Sequence, residues 1–434
     1  MNPSRKRLLL TISVFLMLRT VVIFLVGNKG DTTLYYNVLE RYFKQGLSFY
    51  SVNEYPYPYP PLTIPLILIP YFLSTNFSWF FRFFLIGMLC FDIINIKLLY
   101  KIGAEKLALN NQELNRLLFC YVFFGSFLLL IIYSRYDLII ATTFLLMMFF
   151  YKSSGRGRAK IYLTAAGGFL IKLVPIFWLP ILLILEIFGF SKEKNRLKNF
   201  LNPVFLFFIP VSVVIIVVDY ISQGELINAI FVGHANRGIQ VESVWATPLF
   251  LYDHFVLKTS QLNITEDYGA HHISNSFVPP FWLWGSRYLG FILIFIFCLI
   301  FIYLYKKILI QKPNFKLSFN LYFLLSFSLL LILVSTQKVL SPQFFIWVLP
   351  GFCLWLVKKN SWLFFQGIFL VYFLTFMDFP LGYPGLIRKL PSSIFFVAIR
   401  NLFLIIISTC IVRDSIKALR TEGKLPINLI KHQT

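Results

Sequence analysis

Asp31 follows directly on the first long apolar run of the chain, in Gly30-Asp31-Thr32-Thr33-Leu34-Tyr35-Tyr36. A carboxylate at a boundary between water and lipid, partly desolvated, is placed to take a proton from an attacking hydroxyl. The same position suits the cap of a short interfacial helix carrying Leu34, Val38 and Leu39, and the residues alone leave both roles open. Basic side chains recur beside acids and prolines further along: Arg135 with Asp137, Lys172 just before Pro175, Arg237 with His234 and Glu242 in the stretch 234–243, and Lys338. Such cations hold an anion, pair with the neighbouring acid, or reach lipid headgroups from a span end. A lysine between two apolar half-spans is costly, which argues for a function at Lys172. Four of the five histidines (His234, His254, His271, His272) fall in one polar segment, but their spacing fits no closed zinc site. The five cysteines lie in apolar stretches and read as small core residues.

Membrane helices must position these groups. Of the 434 residues, 58% are hydrophobic and only 13% charged, which excludes an ordinary water-facing surface. Apolar runs occur near 8–26, 79–100, 117–132, 137–151, 161–190, 200–220, 283–305, 318–335, 343–357, 362–377 and 394–412. A span needs roughly 20 apolar residues, so the expected fold is an all-α polytopic membrane protein of about 12 transmembrane helices, some short or re-entrant. A single domain covers 1–434. The first run is too long for a cleaved signal and reads as a retained span. The runs 117–132 and 137–151 form a hairpin with Arg135 and Asp137 at its tip, and 161–190 forms a second with Lys172 near its tip. The stretch 61–73, with Pro61, Pro65 and Pro70, reads as interfacial or re-entrant.

The net charge of +22 comes from 40 Lys+Arg against 18 Asp+Glu. Sorted by alternate loops, 25 of those bases fall with only five acids in one set of segments, both termini included, which the positive-inside rule makes cytoplasmic. The opposite set holds ten bases and ten acids, and five bases (Arg19, Arg82, Lys97, Arg287, Arg400) fall within spans. The charge is therefore topogenic, and no nucleic-acid partner is expected. The two long outer segments, 28–61 and 222–282, are rich in aromatics and acids, so any chemistry belongs on the outer face. Within spans, Asp92 reads as a local pair with Asn95 and Lys97, and Glu186 as a neighbour of the Lys192 to Lys198 run.

Taken in order, the early Gly-Asp loop, Gly46 and Tyr50, the run Tyr59 to Leu62, Arg135-Tyr136-Asp137-Leu138, Lys172-Leu173-Val174-Pro175 with Pro180, Arg237 to Ser243, and Ser341-Pro342-Gln343 with Trp347 and Pro350 form a pattern. Over about residues 27 to 350 it resembles the prokaryotic multispanning mannosyltransferase-like family, GT-C type glycosyltransferases whose donor is a polyprenyl-phosphate-linked sugar. More distantly it resembles the catalytic subunit of the first mannosyltransferase of GPI-anchor synthesis. The resemblance implies a GT-C fold in the plasma membrane of a prokaryote. It implies transfer of a hexose, by analogy mannose, to a glycolipid or glycan hydroxyl on the outer face. By family position Asp31 is the base; Arg237, His234, Lys338, Lys172 and Arg135 are candidates for holding the donor phosphate. Glu54, Tyr57, Tyr59, Asp137, Gln240, Glu242 and Gln343 are candidates for the substrate pocket. Some GT-C enzymes carry two adjacent acids where this chain has Asp31 alone, which puts a metal-coordinating role in doubt. Scattered acids make a poor site for a hard cation, so no cofactor is expected. The alternative reading is a polytopic transporter or flippase of lipid-linked sugars; the chain shows no internal repeat, and its polar residues gather at one face.

Overall fold

The computed structural model describes residues 3–25, 30–51, 57–152, 157–188, 196–232, 237–257, 262–267, 269–274, 276 and 278–424. Glu54 and His234 lie outside the described residues. Helices make up nearly all of it: α1 (Pro3–Leu25), α2 (Gly30–Gln45), α3 (Thr63–Leu73), α4 (Phe77–Lys101), α5 (Asn111–Ser126), α6 (Asp137–Phe150), α7 (Arg158–Phe169), α8 (Leu179–Phe188) and α9 (Arg196–Ile221). They continue with α10 (Glu225–Ile227), α11 (Ala246–Tyr252), α12 (Pro280–Gln311), α13 (Phe319–Thr336), α14 (Phe344–Lys359), α15 (Trp362–Phe376), α16 (Tyr383–Ile387) and α17 (Pro391–Lys424). Among the described residues, seven helices are long and apolar enough to cross a membrane, and three shorter apolar helices accompany them. The chain is a polytopic α-helical membrane protein. The all-helical expectation needs one addition: β1 (Ile239–Gln240), β2 (Ile264–Asp267) and β3 (Ala270–Ile273) form an antiparallel sheet in the order β1-β3-β2.

Helices α13 and α14 lie at the centre, buried along almost their whole length, while α9 and α12 present apolar faces outward. The close approach of α13 and α14 depends on Gly351, where an added Cβ would overlap the ring of Phe327. Gly351→Ala is expected to cost about 1–3 kcal/mol by overpacking; an unchanged unfolding midpoint in detergent would contradict this packing.

Among the described residues, contacts gather several polar segments at each of two ends of the bundle. At the basic end Lys106 donates to the Tyr151 carbonyl at 2.9 Å, the Tyr151 hydroxyl to the Leu317 carbonyl at 2.9 Å, Lys359 pairs with Asp414 at 2.8 Å, and Ser318 donates to Glu422. Elsewhere Asp31 meets Arg135, Lys172 meets Asp137, and Lys338 meets Arg237. Helices α5, α6, α7 and α14 have 16, 14, 12 and 16 residues. At a rise of about 1.5 Å per residue they extend about 24, 21, 18 and 24 Å, short of a hydrocarbon core of about 30 Å. The run read as 117–132 stops being helical at Ser126, and the backbone turns from 127 to 136 before α6 begins.

Candidate active site

Four groups of polar side chains surround Asp31, Asp137, Glu242 and Lys338. In the first, α2 places Asp31 in its first turn and Tyr35 one turn later, with Tyr35 buried. The Asp31 carboxylate is turned to the protein: Tyr59 donates to Oδ2 at 2.7 Å and the Arg135 guanidinium pairs with Oδ1 at 2.9 Å. Asp31 and Arg135 remain about a quarter exposed, at 23% and 24%, so the carboxylate can still meet a ligand. Tyr35 stacks on Tyr136 with centroids 4.8 Å apart and meets Tyr59 edge-on, and Tyr57 shares a 2.7 Å hydroxyl contact with Tyr136. The Tyr59 to Leu62 run is fixed from outside itself, since Tyr50 donates to the Tyr59 carbonyl at 3.1 Å and Leu62 N–H to the Leu170 carbonyl at 3.0 Å. Tyr57 and Tyr59 thus form a wall beside Asp31.

The second group crosses the two hairpins. Lys172 donates to Asp137 Oδ1 at 2.6 Å, and Trp347 Nε1 donates to the same oxygen at 2.5 Å. The ammonium also lies over the Trp347 ring at 4.8 Å and the Phe344 ring at 5.5 Å, an attraction to the negative face of each ring. The local pairing of Arg135 with Asp137 read from the sequence is corrected here: each takes a distant partner, Asp31 and Lys172. Adjacent residues on the turn leading into α6 diverge, and the hairpins bring complementary charges closer than sequence neighbours. Gln343 is buried at the start of α14, next to Phe344.

The third group is buried. Arg400 pairs with Asp378 at 2.9 Å and donates to the Glu242 carbonyl at 2.5 Å, while Asn401 donates to that carbonyl at 3.2 Å. Gln240 Nε2 donates to Glu242 Oε2 at 2.9 Å. Burial, and then the neighbouring Asp378 carboxyl, raise the pKa of Glu242 well above the usual carboxylate range, with Arg400 and Arg135 opposing. Gln240 and Glu242 are therefore built into the protein beneath the surface, and Arg400 and Asp378, assigned to a span and to an outer loop in the sequence, are their partners.

The fourth group is cationic. Gln240 N–H donates to the Lys338 carbonyl at 3.0 Å, and Lys338 Nζ donates to the Arg237 carbonyl at 2.5 Å. Burial, then Arg287 and then Arg237 lower the Lys338 pKa to about 8. Arg287, counted within a span on sequence, sits in the second turn of α12, one turn beyond Trp284. The Trp282/Trp284 pair marks the interface, and that was the signal that the next turn reaches the polar edge. The groups are joined through Arg135, whose charge acts at Glu242 and at Lys172 as well as on Asp31.

Two span-embedded acids also find partners that differ from the local ones read in sequence. Asp92 pairs with Arg19 of α1 at 3.2 Å, and Glu186 with Arg158 at 2.5 Å. His271 on β3 shares a 3.2 Å contact with the Tyr383 hydroxyl, and His272 is buried.

No family model and no curated protein matches the chain. Among solved structures, the chain is similar to the crystal structure of ArnT from Cupriavidus metallidurans bound to undecaprenyl phosphate, with 12% sequence identity, a TM-score of 0.48, and coverage of 95% of this chain and 77% of that one. At that identity no residue role is carried across.

Proposed function

We propose that the protein is a GT-C type membrane glycosyltransferase. It moves a hexose, mannose by the sequence resemblance, from a polyprenyl-phosphate donor to a hydroxyl of a glycolipid or glycan at the outer face of a prokaryotic plasma membrane. The observation that carries this reading is the Asp31 carboxylate, 23% exposed and held by Tyr59 and Arg135 at an end that also gathers Lys338, Arg237 and Arg287. A cationic group beside apolar helices suits a donor whose polyprenyl chain stays in the bilayer while its phosphate meets cations. The sequence shows no internal repeat, which favours an enzyme over a transporter built from repeated halves.

In the reaction the acceptor O–H gives its proton to the Asp31 carboxylate as the oxygen bonds to the anomeric carbon. The bond from that carbon to the phosphate oxygen breaks, and its electron pair leaves with polyprenyl phosphate. Tyr59 and Arg135 orient Asp31 for this step, and the tyrosine wall with Gln343 and the Asp137–Lys172 pair borders the sugar. Of the candidate phosphate ligands, Lys338 and Arg237 share a positive field with Arg287. Those cations stabilise the leaving phosphate, with His234 on the adjoining segment, and do so in place of a divalent ion.

This assignment sets a pH dependence. A bound phosphate raises the Lys338 pKa from about 8, so binding takes up a proton above that pH. Affinity is therefore fully present below pH 8 and declines as pH rises through it, by up to about tenfold per unit. Polyprenyl phosphate should raise the unfolding temperature of the detergent-solubilised protein, polyprenol should not, and Lys338→Met should flatten the pH profile. Equal stabilisation by the alcohol and the phosphate would remove the phosphate from this site.

A further inference from the structure

Deep in the bundle, away from the four groups above, a second set of buried polar side chains surrounds Asp92 of α4. Tyr121 of α5 donates to Asp92 Oδ1 at 2.5 Å, Tyr133 donates to Oδ2 at 2.7 Å, and Arg19 Nε stands 3.2 Å from Oδ2. Arg19 also donates to the Gly125 carbonyl at 3.1 Å, and an added Cβ at Gly125 would run into its guanidinium. One turn along the same face of α4, Asn95 donates to the Leu138 carbonyl at 3.4 Å and accepts from Thr142 at 2.7 Å. Arg19 and Asp92 are 1% and 0% exposed, so the pair lies wholly inside the protein.

A charge pair at such depth is costly to bury, and apolar residues of similar volume would often be as stable. Its partners indicate a different use. Gly125 closes α5, Tyr133 lies inside the turn region, and Leu138 opens α6. The bonds from Arg19, Asp92 and Asn95 therefore grip the segment before, within and after residues 127–136. That segment is held internally only by turn bonds such as Leu128 N–H to Gly125 O and Ile131 N–H to Leu128 O. Non-helical backbone at membrane depth needs its shape imposed by surrounding protein. Arg135, which pairs with Asp31, is two residues beyond Tyr133.

We infer that the buried Arg19–Asp92 pair is a positioning device: through the Tyr133 hydroxyl it sets the hairpin tip so that the Arg135 guanidinium meets the Asp31 carboxylate. None of Arg19, Asp92 or Tyr133 touches substrate. The kinetic consequence rests on the reading of Asp31 as the base; the structural consequence does not. Tyr121 and Tyr133 donate to the same carboxylate, but only Tyr133 belongs to the tip, and the two hydroxyls can be removed separately.

The test uses the full-length protein in nanodiscs, with hydrogen exchange of the amides of residues 128–136 read beside the kinetics of sugar transfer. Tyr133→Phe is expected to speed exchange across the tip at least tenfold. It should also lower kcat at least tenfold while KM for the donor changes less than threefold, because Arg135 orients the base and the phosphate is held elsewhere. Tyr121→Phe should leave both readouts near those of the wild type. Equal effects of the two variants, or unchanged tip exchange in Tyr133→Phe, would overturn the inference. Faster tip exchange in Tyr133→Phe alone, in a protein whose wild type transfers sugar from no polyprenyl-phosphate donor, would uphold the positioning role and defeat the proposed reaction instead.

Discussion

Asp31→Asn is expected to lower kcat of glycosyl transfer by about 10²–10⁴-fold, the range that a positioned general base contributes. The amide keeps the size of the side chain and an oxygen able to accept from Tyr59 and Arg135, so the fold should persist, and the loss should be chemical. Donor binding should change little, because Lys338, Arg237 and Arg287 form a group separate from Asp31. Initial rates with purified protein, paired with donor affinity, separate the two effects. A variant that keeps more than a tenth of the wild-type rate would mean that another group takes the acceptor proton. Tyr59→Phe removes one hydrogen bond to the base and leaves the Arg135 pair in place, so its loss should be much smaller than that of Asp31→Asn.

The second large effect is on stability. Arg400→Leu removes the buried guanidinium that pairs with Asp378 and donates to the Glu242 carbonyl. Breaking a buried pair from one side leaves an uncompensated charge and costs roughly 3–5 kcal/mol. Asp378 and Glu242 then face each other with no cation between them except the more distant Arg135, whose charge also acts at Glu242. Adding Asp378→Asn to Arg400→Leu should restore part of the loss, since the remaining carboxyl can stay protonated. Unfolding of the detergent-solubilised protein measures this, and a cost below about 1 kcal/mol for Arg400→Leu would show that the cluster is solvated.

Much of the bundle was legible from residue order because apolar runs and the bias of Lys and Arg are local signals. Among the described residues, Lys106, Tyr151, Leu317, Lys359 and Asp414 meet at one end, and Asp31, Arg135, Asp137 and Lys172 meet elsewhere. Pairing was not legible. Arg135 and Asp137 are two residues apart and read as partners, yet Arg135 reaches Asp31 and Asp137 reaches Lys172. Asp92 takes Arg19 from another helix, and Arg400 takes Asp378. In each case the choice depends on which helices touch, a property of packing that no sequence window contains. The end of α5 at Ser126 was hidden for a related reason: residues 127–132 are as apolar as the helix before them, and only the contacts of Arg19 and Asp92 mark the turn. The sheet strands, two to four residues long, are too short to show an alternating pattern.

Arg287 shows how a sequence rule can be applied too coarsely. Its place inside a long apolar run made it a span residue, although the neighbouring tryptophans already marked the interface. Its position beside Lys338 and Arg237 turns two scattered cations into a group with a common field. That group is the site proposed for the donor phosphate, and none of its three cations is a hydrogen-bond or ion-pair partner of Asp31 among the contacts described.

The central claim is sugar transfer from a lipid-linked phosphate with Asp31 as base. It is tested most directly by following both products in proteoliposomes supplied with radiolabelled polyprenyl-phosphate mannose and a membrane glycolipid extract. The account predicts label entering a glycolipid in step with an equal release of polyprenyl phosphate, both lost in Asp31→Asn. Consumption of a nucleotide sugar with the lipid-linked donor untouched, or undiminished transfer by Asp31→Asn, would contradict it.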